Sequence, residues 1–356
     1  MTVTAAPPAP TFYGVEEVDG RRFYFIGDRK LLSCTTITGT IAKPALMRYA
    51  AKKAAEGAFA ELPSVVIASR VKPCGNTGNR CAHEPTERCE RCPCTECKAC
   101  MTSWLADRHI ENTARRSDEG TRVHDVIEWW ALHGEYKPYD QDIAPYIKAF
   151  QAFTVEYGIT PESFIASEVL VVNYDAGYAG TCDGILLIDA SKTDAAAKLV
   201  SRLLARSGRR VTWKKAKRLG LKVLLVIDFK TREGEGPEFY PEQALQVTGY
   251  RHAPILRVKN SDAVDAEQPM PATDGGMLIQ LRPDGFTPRL VMSCDDTYRD
   301  GFLYALGLCK WLIEYGAAAV SSHTFVLPET LAARERKAAR EAAEAAANAQ
   351  PIPAAA

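Results

Sequence analysis

The sequence predicts an α/β protein in which helices and strands occupy separate stretches. Three observations carry this. Helical patterning fills most of residues 44–157, strand patterning begins at Phe164, and the run LKVLLVIDFKT at 221–231 stays apolar until Asp228, Lys230 and Thr231. Such a run suits a central strand buried on both faces. Each element has a local cause. Residues 14–36 read as a small β-hairpin, because Asp19-Gly20 and Gly27-Asp28 supply turn residues. Pro44 opens an Ala-rich helix over 44–60, and helical patterning resumes at Ser103–Arg116, Asp118–His133 and Ile143–Tyr157. Strands follow at 163–174 and 179–190, joined by Asp175-Ala176-Gly177. Helices are expected near Ala195–Arg206 and Trp213–Leu219, and another from Pro241 to 253. Strands at 275–281 and 287–293 flank the Pro283-Asp284-Gly285 turn, and an amphipathic helix covers about 295–316. The tail at 321–356 ends in low-complexity Ala/Glu/Arg sequence, expected to be a frayed helix or disordered.

Composition narrows the function classes. With 46% hydrophobic and 25% charged residues, the chain has enough apolar content for a core, which rules out wholesale disorder. Its longest apolar runs fall far short of the ~20 residues a membrane span needs. The start, MTVTAAPPAPTFYG, has neither the basic residues nor the apolar core of a secretory signal, so a cytoplasmic, reducing setting is expected. No G-x4-G-K-[ST], HExxH or G-x-S-x-G is present, which leaves ATP-driven helicase, zincin and α/β-hydrolase chemistry without support.

Two kinds of residue are segregated. Of 11 cysteines, seven lie between 74 and 100: Cys74, Cys81, Cys89, Cys92, Cys94, Cys97 and Cys100, with His83 among them. The C-x2-C spacings aim thiolates at one ion, and eight ligands suffice for one or two tetrahedral zinc sites. An iron–sulfur cluster is the second reading, and disulfides suit a reducing compartment less well. The segment is poor in aliphatic residues, so metal binding, worth ~10–16 kcal/mol for structural zinc, would supply its folding energy. Charge is segregated too. The chain has 44 basic and 44 acidic residues, yet residues 191–222 hold eleven of the basic ones and a single acid, Asp194. That stretch can present a cationic face to a polyanion.

The chemistry concentrates around 221–231. On a strand, residues i and i+2 share a face, so Asp228 and Lys230 stand side by side at the end of a buried run. Burying them there without a purpose is expensive. Asp183, in Gly180-Thr181-Cys182-Asp183-Gly184, adds a second carboxylate on a neighbouring strand. Two such carboxylates suit Mg²⁺ or Mn²⁺, and Lys230 can orient or deprotonate a water and offset phosphate charge. His124 shares a helical face with Glu128, and a neutral imidazole there can ligate Mn²⁺.

In order, G-x3-H-x3-E (Gly120, His124, Glu128), G-x2-D (Gly180, Asp183), hydrophobic-D-F-K-T (Asp228, Lys230) and Q-x3-Y (Gln246, Tyr250) resemble the RecB-like branch of the PD-(D/E)xK nucleases. That branch includes the CRISPR-associated exonuclease family and phage-encoded relatives. The segment SCTTITGTIAKPALMRYAAKKAAE also looks like the opening of the phage proteins, and the resemblance covers about 30–60 and 104–316. It implies a restriction-endonuclease-like mixed central sheet flanked by helices, and metal-dependent hydrolysis of DNA. His124, Asp183, Asp228 and the backbone carbonyl of Phe229 would hold the metal, with Lys230 catalytic. Gln246 and Tyr250 would support the site or touch DNA, and Glu128 and Glu168 would assist as neighbours of the ligands. Iron–sulfur members cluster three cysteines after the Q-x3-Y helix. Only Cys294 and Cys309 lie downstream here, so the 74–100 cluster reads as a separate insertion.

The expected organisation is therefore an N-terminal hairpin and helix of the nuclease domain at 1–72 and a Cys-rich insertion at 73–102. The nuclease core follows at 103–320, with a basic helical insertion at 191–222, and then the tail. Lys214, Lys215, Lys217 and Arg218 would grip a single or double strand of DNA, with Trp213 able to stack on it. The leading expectation is a Mg²⁺/Mn²⁺-dependent exonuclease of recombination, replication or repair, phage-encoded, with a recombinase or replication protein as a further partner. A restriction-type endonuclease and a catalytically inactive DNA-binding or interaction module stand as alternatives.

Overall fold

The computed structural model describes residues 13–70, 98–233, 239–257, 267–291 and 296–315, with single helical positions at 336 and 339. The described residues form two units, one ending at Leu306 and one beginning at Gly307. All strands belong to the first. Among the described residues, no helix is long and apolar enough to cross a membrane.

The expected α/β class is what the structure shows, as a mixed, open sheet flanked by helices. The N-terminal hairpin is in fact a three-stranded meander, β1 (Tyr13–Val18), β2 (Arg21–Ile26) and β3 (Arg29–Ser33), with turns at the two predicted places. Ser33 then caps a short helix, α1 (Cys34–Gly39), its hydroxyl accepting from the Thr36 N–H. Helices α2 (Pro44–Ala60) and α3 (Leu62–Arg70) follow. The two helices expected over 103–133 are one continuous helix, α4 (Lys98–His133), and Cys100 falls on its first turn. Helix α5 (Ala144–Tyr157) ends at Gly158 in the left-handed conformation that stops helices.

Strands β4 (Phe164–Asn173) and β5 (Tyr178–Asp189) pair antiparallel over nearly their whole length. Two helices, α6 (Asp194–Arg206) and α7 (Trp213–Arg218), lead to β6 (Lys222–Thr231), each capped by a threonine, Thr193 and Thr212. Helix α8 (Pro241–Arg251) starts on its proline. Strands β7 (Ile255–Arg257), β8 (Glu267–Pro269), β9 (Gly275–Arg282) and β10 (Gly285–Val291) and helix α9 (Asp296–Glu314) complete the described elements.

The sheet forks at β5. One edge of β5 carries β4 from Tyr178 to Leu186. The other carries β3, parallel, at Tyr178 and Ala179, and then β6, antiparallel, from Gly184 to Asp189. Residues 180–183 lie between these partners, where the ladder on that edge is interrupted. The pairing of β3 with β5 also puts residues from the 1–72 segment in the same sheet as those after 103. Below the sheet, α4, α5 and α6 bury Val123, Ile127, Phe150, Phe153 and Leu203 against Ile188, Ile227, Phe229 and Ile279. Phe229 meets Phe150 and Phe153 edge to face, which fixes the end of β6 against the helices.

Candidate metal centre

The fork collects the charged residues. Ser167 pairs with Gly184 and Val169 with Cys182, so Glu168 stands opposite Asp183. The β5–β6 ladder ends at Gly184 and Ile227, and its register carried one step further sets Asp183 against Asp228. Three carboxylates thus form a row across β4, β5 and β6. Where the ladder fails, Asp183 replaces it: its Oδ2 accepts the Phe229 N–H at 2.6 Å. Lys230 Nζ lies 2.5 Å from Asp228 Oδ2, an ion pair to a carboxylate whose side chain is 2% exposed.

Helix α4 brings the imidazole. His124 Nδ1 is 3.4 Å from Asp183 Oδ1 and 3.5 Å from Glu168 Oε1. Two glycines make these approaches feasible. A Cβ on Gly120 would stand 3.2 Å from Thr231 Oγ1, so a bare backbone one turn before His124 lets α4 lie against the end of β6. A Cβ on Gly180 would stand 2.5 Å from the Tyr250 ring, so only glycine admits Tyr250 beneath the fork. Gln246 Nε2 donates to Tyr250 Oη at 2.5 Å, which fixes both members of the Q-x3-Y pair within α8.

The electrostatics follow from burial and neighbours. Burial alone would depress the His124 pKa, but Asp183 and Glu168 outweigh it and push it up to about 10. Burial also opposes ionisation of Asp183, yet His124 and Lys230 hold its carboxyl below the usual range. For Asp228 burial wins, helped by the Asp183 charge and opposed by Lys230, and its pKa rises to about 6. Burial works against the Lys230 charge, but Asp228 and Asp183 overcome it and raise its pKa. Burial and the nearby Asp228 charge push the Tyr250 phenol well above its ordinary value.

Among the described residues, the tightest group of metal-ligating side chains is His124, Glu168 and Asp183, whose donor atoms lie within 4.8 Å of one another. Of the four ligands expected from sequence, His124 and Asp183 are in this group. Asp228 and the Phe229 backbone lie beside it, and Glu168, expected only to assist, is inside it. Glu128 is partly buried one turn beyond His124 and outside the group. The donor set of one imidazole and several carboxylates fits a hard divalent cation. Sequence reasoning missed Tyr24 on β2, whose Oη accepts the Thr181 N–H at 3.0 Å. Its only signal was an aromatic residue on a strand, which normally means packing.

The basic insertion is placed elsewhere. It joins the far ends of β5 and β6, six residues along each strand from Asp183 and Asp228, or ~20 Å at ~3.3 Å per residue. Trp213, expected to be able to stack on DNA, is partly buried. It packs against the helical core, with Lys198 and Lys214 both within 6 Å of its ring. Lys217 is paired with Asp194 at 2.6 Å, while Lys214, Lys215 and Arg218 are exposed. The expected metal ligands Cys74, Cys81, His83, Cys89, Cys92, Cys94 and Cys97 lie outside the described residues, as does the side chain of Cys100.

No protein-family model matches the chain, and no curated protein matches its sequence.

Proposed function

We propose that the chain is a divalent-cation-dependent deoxyribonuclease, an exonuclease with a restriction-endonuclease-like core of the RecB-like type. One observation carries the reading: Asp183 and Asp228 come level across adjacent strands, with Lys230 on Asp228 and His124 on Asp183. A structural explanation for this arrangement is weak, because a buried like-charged pair opposes folding and ordinary strand ends avoid it. His124, Asp183, Asp228 and the Phe229 carbonyl would hold the cation, which when bound supplies Lewis-acid activation of water and phosphate.

The chain's own residues divide the remaining work. Lys230, held as an ammonium by Asp228 and Asp183, stabilises the negative charge that builds on the phosphate and orients the attacking water. Its raised pKa makes it a poor proton acceptor and a good hydrogen-bond donor. Asp183, held ionised and fixed by the Phe229 N–H, keeps one oxygen facing His124. Gln246 and Tyr250 pack under Gly180 and hold the fork open.

The test is incubation of the whole chain with linear DNA and Mn²⁺ or Mg²⁺. Cleavage that stops with EDTA, is lost in Asp228→Ala and Lys230→Ala, and spares circular DNA supports the exonuclease. Cleavage of circular DNA would move the reading to an endonuclease. An unmodified chain that binds DNA and cuts none under either metal would be a binding module.

A further inference from the structure

We propose that Glu168 binds the cation directly, as the third donor with His124 and Asp183. The inference rests on the divalent-cation reading of the site and is independent of whether DNA is the substrate. Three observations converge on it. The first is conformation. Glu168 has φ +47° inside β4, and apart from the turn residue Asp19 it is the one non-glycine with positive φ among the described residues. A bulky residue held there is strained, and such strain persists where surrounding structure demands a particular side-chain direction.

The second is register. Glu168 lies level with Asp183, between the Ser167–Gly184 and Val169–Cys182 pairs of the β4–β5 ladder, so two like charges stand on neighbouring strands. A strand selected for packing alone would place an apolar or basic residue here. The third is convergence. The two carboxylates come to 3.4 and 3.5 Å from the same imidazole nitrogen, His124 Nδ1, and a single N–H cannot satisfy both well. All three donor atoms fall within 4.8 Å of one another, close to the ~3.0–4.2 Å separations of ligands around a cation at ~2.1 Å. The Glu168 side chain is only 13% exposed, so bulk water does little to screen the repulsion.

The variant Glu168→Gly suits the test because glycine adopts a positive φ freely and removes the carboxylate without new backbone strain. Co²⁺ is the probe, since its visible absorption reports the donors bound to it. Affinity and spectrum are measured on the whole chain for the unmodified protein, Glu168→Gly, Glu168→His and Asp183→Asn, with urea unfolding as a check that each is folded. The expected result is at least a tenfold loss of Co²⁺ affinity in Glu168→Gly, comparable to Asp183→Asn, and a shifted spectrum in Glu168→His. Unchanged affinity in Glu168→Gly, or weaker binding with an unaltered Glu168→His spectrum, overturns direct ligation. So does an unmodified chain that binds no Co²⁺ or Mn²⁺. If Glu168→Gly loses the ion while the unmodified, ion-loaded chain leaves DNA intact, the nuclease reading falls and Glu168 keeps its place as ligand.

Discussion

The two ends of the β5–β6 strand pair are built on opposite terms. At the fork, three carboxylates, a lysine and a histidine are packed together in poorly solvated surroundings, and one backbone position is strained. At the other end, α6 and α7 carry most of the basic insertion on exposed faces, each helix is capped, and the apolar face of α6 is buried. Surface cations cost almost nothing to keep, so their number says little about purpose. Buried charges that oppose folding are informative for the opposite reason, because structure alone does not account for them.

The largest expected effect breaks the comparison at the fork. Lys230→Ala should lower Mn²⁺-dependent DNA cleavage by roughly 10²–10⁴-fold, mostly in kcat, because its ammonium acts on charge that develops during the reaction. Asp228→Asn should inactivate as well, with a further signature. The folded pKa of Asp228 stands above its ordinary value, so its protonated form favours folding at low pH and its ionisation opposes folding as pH rises through about 6. At pH 8 without cation, the inactive Asp228→Asn protein should therefore unfold at higher urea than the unmodified chain. Equal activity, or a lower midpoint, would mean the carboxylate is structural.

A proton should compete with the cation for His124. With its pKa pushed up to about 10, the imidazole is protonated at neutral pH, and ion binding must release that proton. Mn²⁺ affinity should rise roughly tenfold per pH unit between about 6 and 10. Below about 6 the dependence should steepen as Asp228 also takes up a proton. Calorimetry in two buffers of different ionisation enthalpy counts the protons released. A flat affinity between pH 6.5 and 8.5 would place the ion away from His124.

The opposite end should respond in kind rather than in degree. Replacing Lys214, Lys215 and Arg218 by Gln removes three exposed charges from the segment that joins the far ends of β5 and β6, strand ends ~20 Å from the carboxylates. DNA affinity should fall and the salt slope should flatten by up to ~2.7, with kcat and urea stability unchanged. A loss of kcat would show that the basic helices reach the reacting phosphate after all.

What the sequence made legible follows from the range of the forces involved. Period-2 and period-3.6 patterns placed the long strands and helices, because each reflects burial along one segment. The three-residue β7 and β8 and the six-residue α1 are too short to show a period. No break occurs at Ser117-Asp118: α4 runs through, and Asp118 pairs with Arg122 at i+4. At the site, His124, Asp183, Asp228 and Lys230 stood out as charges in apolar or glycine-bearing contexts. Glu168 gave no comparable signal, because its cross-strand register with Asp183 and its positive φ are not visible in one segment. Trp213 is ambiguous in sequence, because an aromatic beside lysines reads the same whether it packs inward or stacks outward.

The smallest expected effect concerns what keeps the fork open. Thr181 lies where β5 has left β3 and not yet met β6, so its N–H has no strand partner on that edge. Tyr24 Oη supplies the acceptor, and the same hydroxyl lies 3.1 Å from Thr181 Oγ1. Burial raises the Tyr24 pKa, so the phenol stays neutral and can serve as acceptor and donor at once. Tyr24→Phe keeps the ring that packs with Leu170 and Ala179 but strands the Thr181 amide in a part-buried place. The expected loss is about 1–3 kcal/mol, the penalty of an unsatisfied buried donor. Because Asp183 is two residues on, ion affinity should weaken along with stability, by less than in Asp183→Asn. Replacing Tyr24 by Phe with no change in either would mean that the divergence of β3 and β6 sustains itself, and that the meander is a cover for the sheet rather than part of what positions Asp183.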